Sequence, residues 1–272
     1  MGWSSVKLYF REFGTYRERR PTLIFLHGLF GSAANWQTVA RGLEERFHVL
    51  VPDLRNHGRS PHAEAMDYPL MANDVASFID EQGLDSALLI GHSMGGKVAM
   101  WLALVRPELV GALVAVDIAP VAYSHEFDNI FQALNAVDLG RISGRAQADG
   151  HLAGFLTDPA LRQYLLQNLV NHDGSWGWRF NLQVLMQAIN RITGFPDISP
   201  SMQFPGPALF LHGGVSEYLK PAYLPIIRQR FPLARVRSIP GAGHWVYAER
   251  PVEFRAALNT FLDSAIGLSR TS

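Results

Sequence analysis

Leu88-Leu89-Ile90-Gly91-His92-Ser93-Met94-Gly95-Gly96-Lys97-Val98-Ala99-Met100 is the stretch that decides the fold. An apolar run of strand length reaches Ile90, a tight turn follows with Ser93 at its apex, and a helical pattern continues to Val105, stopped by Arg106-Pro107. The turn reads G-x-S-x-G. Glycines two residues to either side of the serine leave room for the close approach of strand and helix that a strained elbow requires. The serine is pushed out above the sheet, and the Met94 amide points from the first turn of a helix, where partial positive charge favours an anion. The pentapeptide alone is a weak signal in a chain with 24 glycines. The strand before it, the helix after it and the extra Gly96 make a nucleophile elbow the better reading.

Outward from the elbow, the same rhythm repeats. Continuous apolar runs at 22–26, 47–51, 112–116 and 208–211 predict strands buried on both faces, and 234–239 predicts the last strand. Residues 6–10 alternate loosely and predict an opening antiparallel strand with a turn at Gly14. Helices are expected at 36–43 (capped by Ser32 or Asn35), 70–82, 224–230 and 251–265. Strand, loop and helix in repetition argue for an α/β fold with a mostly parallel sheet and helices on both faces. Ligands bind such sheets at the carboxyl ends of the strands, where His27, Asp53, Ser93 and Asp117 all stand.

From Ala119 the rhythm breaks, and nearly ninety residues pass before the strand at 208–211, far more than one crossover helix needs. Phe127, Ile130, Phe131 and Leu134 fall at helical spacing, as do Leu182, Leu185, Met186 and Ile189. Asp158 and Pro159 cap and open a third helix through Leu161, Leu165 and Leu169, and a fourth is expected at 146–156. The chain is thus expected to divide into a core of 1–121 and 205–272 and an inserted helical cap of 122–204. Both ends of the insertion leave the sheet at the ligand-binding edge, which favours a lid over a bundle set apart.

Composition narrows the function. With 48% hydrophobic and 18% charged residues the 272-residue chain is globular, and its zero formal net charge gives nucleic-acid binding no electrostatic support. The Arg17-Glu18-Arg19-Arg20 cluster is short and carries an acid, as a solvated turn does. Without cysteine there is neither a disulfide framework nor a thiolate nucleophile. The first ten residues lack a signal-peptide core, Val6 stands where an acylated Met1-Gly2 terminus wants Ser or Thr, and no apolar run reaches membrane-spanning length. A soluble cytoplasmic protein without cofactor is expected, with monomer and homodimer both open. Spacings such as H-E-x-x-H are missing, so no metal site is expected among the ten histidines.

A serine hydroxyl is a poor nucleophile unless an imidazole, itself oriented by a carboxylate, removes its proton. His244 is the preferred base, because Pro240-Gly241-Ala242-Gly243-His244-Trp245 is a glycine-flanked loop after the last strand, free to hang over Ser93. Two acids compete. Asp117 ends a buried strand beside the elbow, where an unpaired carboxylate is costly, and Glu217 lies in the loop after 208–211. The oxyanion needs two donors, one from Met94 and one from the turn after 22–26, where Leu29 is preferred and Phe30 is the alternative. His27 reads as an organiser of that turn, and residues 53–60 read as structural. Phe127, Phe131, Phe155, Trp176, Trp178, Phe180 and Trp245 are available for an apolar acyl pocket, though most suit the cap's own core equally. Arg141, Arg145, Arg179 and Lys220 would suit an anionic carrier such as coenzyme A, or are scattered surface charge.

His-Gly-Leu-Phe-Gly at 27–31, Asp-Leu-Arg-Asn-His-Gly-Arg-Ser at 53–60, Gly-His-Ser-Met-Gly-Gly-Lys at 91–97, Val-Asp-Ile-Ala-Pro at 116–120 and Gly-Ala-Gly-His-Trp at 241–245 together resemble the α/β-hydrolase superfamily. Within it, the chain is similar to the YbfF-type esterase and thioesterase subfamily, related to the mitochondrial abhydrolase-domain-11 proteins, over residues 23–262. The resemblance implies carboxylic-ester hydrolysis and a four-helix cap. It implies Ser93, Asp117 and His244 as the triad: the wider superfamily carries an Asp after the strand that follows the cap, this chain has none there, and the subfamily takes its acid from the preceding strand. The expected activity is that of a serine carboxylesterase on short- to medium-chain acyl esters, working through an acyl-enzyme. Thioester hydrolysis and acyl transfer use the same residues. Dehalogenase and epoxide hydrolase chemistry wants a carboxylate where Ser93 stands, and a low-turnover receptor would have lost a triad member.

Overall fold

The computed structural model describes residues 5–17, 20–124 and 127–267. Residues 1–4, which the leader and acylation readings include, and 18–19 of the arginine cluster lie outside the described residues. In chain order the first half comprises β1 (Phe10–Phe13), β2 (Thr22–Leu26), a 3-10 turn (Ala33–Trp36) running into α1 (Gln37–Arg41), β3 (His48–Pro52), α2 (Tyr68–Glu81), β4 (Ala87–His92), α3 (Met94–Val105) and β5 (Val110–Val116). An insertion follows with α4 (Asp128–Ala136), α5 (Arg145–Ala153), α6 (Pro159–Leu166), β6 (Leu169–His172), β7 (Ser175–Trp178) and α7 (Leu182–Thr193). The sheet then resumes with β8 (Ala208–Gly213), α8 (Leu224–Arg230), β9 (Ala234–Ile239), α9 (Val246–Glu249) and α10 (Pro251–Ala265).

Seven strands form one sheet in the order β1-β3-β2-β4-β5-β8-β9, parallel throughout except for β1. The period-2 rule shows directly in β2: Leu23 and Phe25 pack with Trp36 and Val39 near α1 and with Phe254 and Leu258 of α10, whereas Ile24 and Leu26 pack with Val75 and Phe78 of α2 and Val98 of α3. Both faces of the strand are covered, which is why its sequence is continuously apolar. Register does the rest. Leu26 pairs with Gly91, His92 with Val116, and Val116 with Leu211, so the loops after β2, β4, β5 and β8 open side by side along one edge.

The structure departs from expectation in two places. The first strand is β1 at Phe10–Phe13, paired antiparallel with residues 49–52, and not 6–10. The earlier backbone lies outside the ladder and is held by Val6 N donating to Asp74 Oδ1 (2.9 Å), Tyr9 N to Ser60 Oγ (2.9 Å) and Asp53 N to Tyr9 O (2.8 Å). Secondly, the insertion is not all helical. Leu169, expected in a helix, opens the β6–β7 hairpin. The hairpin turn is Asp173-Gly174, at φ +50° and +89°, a dipeptide that favours the left-handed pair a two-residue hairpin loop needs.

Beneath the loop that follows β3, Arg55 grips Asp74 of α2 through two contacts, Nε to Oδ2 at 2.6 Å and Nη2 to Oδ1 at 2.7 Å, with both side chains buried. Removing one partner leaves an uncompensated buried charge. Asp74→Ala is expected to lower stability by about 3–5 kcal/mol, read as a drop in the urea unfolding midpoint.

Candidate active site

Ser93 holds φ +51° and ψ −119° at the junction of β4 and α3, and its amide donates to Val116 O at 3.0 Å. A non-glycine residue there stores about 1–3 kcal/mol of strain, tolerable only where the surroundings fix it. They do. A Cβ at Gly91 would overlap the Gly95 carbonyl oxygen, and one at Gly95 would overlap that of Leu26. Those two glycines let helix and strand touch backbone to backbone, and the serine is what projects.

Asp117, fully buried at the end of β5, accepts from Gly213 N through Oδ1 (2.9 Å) and from His244 Nδ1 through Oδ2 (2.7 Å). The Ser216 hydroxyl also donates to Oδ2, at 2.5 Å. A carboxylate oxygen accepts, so His244 Nδ1 is the donor in this contact. The structure therefore brings Asp117 to His244. Glu217 instead pairs with Lys220 at 2.6 Å, its side chain 77% exposed. Ser216 escaped the sequence reading, because a serine in an irregular loop carries no pattern.

The His244 imidazole lies between two rings. Tyr218 stacks on it at 3.9 Å and 19°, and His92 tilts against it at 4.6 Å and 45°. His92 donates from Nε2 to the His244 carbonyl (2.9 Å), and burial holds its own pKa well below the usual histidine value. A neutral His92 can thus support the backbone of His244 without repelling a charge on its ring. Ser93 and His244 line one cavity of about 260 Å³ with Leu29, Tyr164, Leu161 and Trp245. Among the described residues the Ser93 hydroxyl makes no hydrogen bond, to His244 or to another group.

The turn after β2 distinguishes the two oxyanion candidates. Phe30 sits at φ +60° and its amide is taken, donating to His57 Nε2 at 3.2 Å. The amide of Leu29 has no partner among the described residues, and Leu29 borders Ser93 and Met94 in a second, smaller cavity. Met94 opens α3, so its amide has no partner within the helix. From the insertion, Tyr164 donates to Leu29 O (2.9 Å) and Asn168 to Phe30 O (2.6 Å). His27 organises the turn as expected, accepting from Leu54 N and donating to Gly28 O. Asp53 accepts from Ala33 N and Arg59 N, a structural use.

Lys97, one turn beyond Ser93 on α3, is almost wholly buried and donates to the carbonyls of Thr193 (2.9 Å) and Gly194 (2.5 Å) at the end of α7. Burial pushes its ammonium down to about 7. Of the aromatic residues proposed for a pocket, Phe127 and Trp245 line the large cavity, while Phe131, Phe180, Trp176 and Trp178 pack in the hydrophobic core and Phe155 is exposed. Of the basic residues, Arg141 pairs with Asp138, Lys220 with Glu217, and Arg145 donates to the carbonyls of Leu166 and Leu169. The described residues hold no cluster suited to a metal ion, and none of their helices is long and apolar enough to cross a membrane.

This elbow, with an acid after the adjacent strand and a histidine after the last, is the layout of the α/β hydrolases, and the chain belongs to that family: the alpha/beta hydrolase fold model matches residues 21–251. Among curated relatives, the chain is 40% identical over 250 residues to the sn-1-specific diacylglycerol lipase ABHD11 of Mus musculus, covering 89% of this chain and 81% of the relative. It is also 40% identical over 242 residues to the esterase YbfF of Escherichia coli (strain K12), covering 89% and 92%. A solved marine microorganism esterase superposes with a TM-score of 0.90 at 38% identity, over 94% of this chain and 100% of its own. Relatives named esterases and lipases support a carboxylic ester hydrolase.

Burial pushes His27 down to about 4 and His57 to about 3, below the ordinary value of 6.5. The unfolded chain therefore takes up protons near pH 6.5 while the folded one does not, and folded-state stability falls as pH drops from about 6.5 toward 4. With both sites contributing, the slope is on the order of 2 kcal/mol per pH unit near pH 5. Urea unfolding at pH 7 and pH 5 measures it, and equal midpoints would contradict the neutral assignment.

Proposed function

We propose that the chain is a serine carboxylesterase hydrolysing short- to medium-chain acyl esters through an acyl-enzyme. Ser93 is the nucleophile, His244 the general base, Asp117 its orienting acid, and the Leu29 and Met94 amides the oxyanion donors. The observation that carries this reading is the 2.7 Å contact between Asp117 Oδ2 and His244 Nδ1 at the rim of the cavity that also holds Ser93. His244 Nε2 takes the Ser93 proton as Oγ attacks the ester carbonyl, and Asp117 stabilises the imidazolium that forms. The two amides meet the developing oxyanion, the alcohol leaves with the proton, and water releases the acid by the same steps in reverse order. Residues 122–204 act as a cap over the core of 1–121 and 205–272. Tyr164 and Asn168, which hold the turn after β2, support that role.

Steady-state kinetics on p-nitrophenyl esters test the assignment. Ser93→Ala is expected to lower kcat at least about ten-thousandfold, Asp117→Asn about a thousandfold or more, and Glu217→Gln less than about twofold. Turnover unaffected by Ser93→Ala, or a larger loss from Glu217→Gln than from Asp117→Asn, would overturn it. Thioester hydrolysis and acyl transfer share the first half-reaction, and parallel assays with acyl-CoA, with and without an added alcohol, separate them from ester hydrolysis.

A further inference from the structure

Two cavities meet at Ser93. The larger, about 260 Å³, includes His244 in its wall together with Ile130, Leu161, Tyr164 and Trp245. The smaller, about 30 Å³, is walled by Met94, Lys97, Ile118, Tyr123 and Ile192, and His244 is not among its lining residues. Leu29, Phe127 and Tyr218 are common to both.

The chemistry assigns a direction to each. As the tetrahedral intermediate collapses, the bond from carbon to the leaving oxygen breaks, and that oxygen takes the proton His244 removed from Ser93. The leaving group must therefore lie on the imidazole's side. The carbonyl oxygen faces the amides of Leu29 and Met94, which leaves the acyl substituent the remaining direction, away from His244. Resting on the Ser93–His244 reading above, we infer that the large cavity receives the leaving alcohol and the small one the acyl chain, so that the enzyme selects short acyl groups carried on bulky apolar alcohols.

The size limit is built into the small cavity. At about 30 Å³ against about 260 Å³, the small cavity suits the shorter of the two ester substituents. Its far wall is hydrogen-bonded rather than loosely packed. Lys97 Nζ is held by the Thr193 and Gly194 carbonyls, and the hydroxyl of Tyr68, also in that wall, donates to Ile192 O at 2.5 Å. Pushing this wall back to admit a longer chain strips a buried ammonium and a buried hydroxyl of their acceptors, which is costly.

The partition is tested with two substrate series, p-nitrophenyl esters from acetate to octanoate and acetates of methanol, phenol and 1-naphthol. For the wild type, kcat/KM is expected to fall at least tenfold from butyrate to octanoate, while 1-naphthyl acetate is hydrolysed at least as well as phenyl acetate. Ile192→Ala, which opens the small cavity alone, should raise the octanoate-to-acetate ratio about tenfold. Leu161→Trp, which fills the large one alone, should depress 1-naphthyl relative to phenyl acetate and leave the acyl profile unchanged. Octanoate accepted as readily as acetate by the wild type, or an acyl profile moved by Leu161→Trp, overturns the partition. The wild-type series and Leu161→Trp decide it even if Ile192→Ala does not fold. Ser93→Ala run alongside separates the two failures: an inert variant with a reversed partition sinks only this inference, whereas an active one sinks the serine mechanism and the partition with it.

Discussion

No side chain larger than a hydrogen fits at positions 91 and 95, because strand β4, helix α3 and the end of β2 touch there through bare backbone. That contact forces Ser93 into a left-handed conformation and leaves its hydroxyl nowhere to point but outward. Everything else in the candidate site is placed relative to it. Sheet pairing aligns the ends of β2, β4, β5 and β8, so a donor loop, a serine and a carboxylate from separate stretches of chain arrive at one edge with no long reach by any of them. Only the histidine comes from a longer loop, and it is held at its ring by Asp117 and Tyr218 and at its carbonyl by His92.

The histidines divide by environment. His27, His57 and His92 are buried without a carboxylate bonded to either ring nitrogen, and burial depresses all three below the ordinary histidine value. Each works as a neutral ring, and His27 and His57 offer one donor and one acceptor to nearby backbone. His244 alone of these four is bonded to a buried carboxylate while its opposite edge faces a cavity. One side chain type thus serves as a neutral partner to backbone or as the partner of a buried carboxylate, according to what stands beside it.

Much of this was legible from residue order. The runs at 22–26, 234–239 and 251–265 give the observed elements because apolar periodicity and prolines are local signals. The elbow was legible for the same reason. The β6–β7 hairpin was signalled by Asp173-Gly174 but masked by the apolar Leu165 and Leu169, which continue a helical spacing across the helix end at Leu166. The first strand was misplaced because what decides it is remote: pairing with 49–52 sets residues 10–13, and Ser60 and Asp74 hold residues 9 and 6 outside it. Ser216 and Tyr218 were invisible on the same ground: their significance lies in partners at 117 and 244, and no nearby residue reports it.

The grip of Tyr164 and Asn168 on the carbonyls of Leu29 and Phe30 spans more than 130 positions and joins the insertion to the turn beneath it. A peptide unit is rigid, so fixing the carbonyl oxygen of one residue also fixes the N–H of the next, and two successive anchors leave the turn little freedom to rotate. Any swing of α6 wide enough to part Tyr164 from Leu29 would slacken the same backbone that borders the serine.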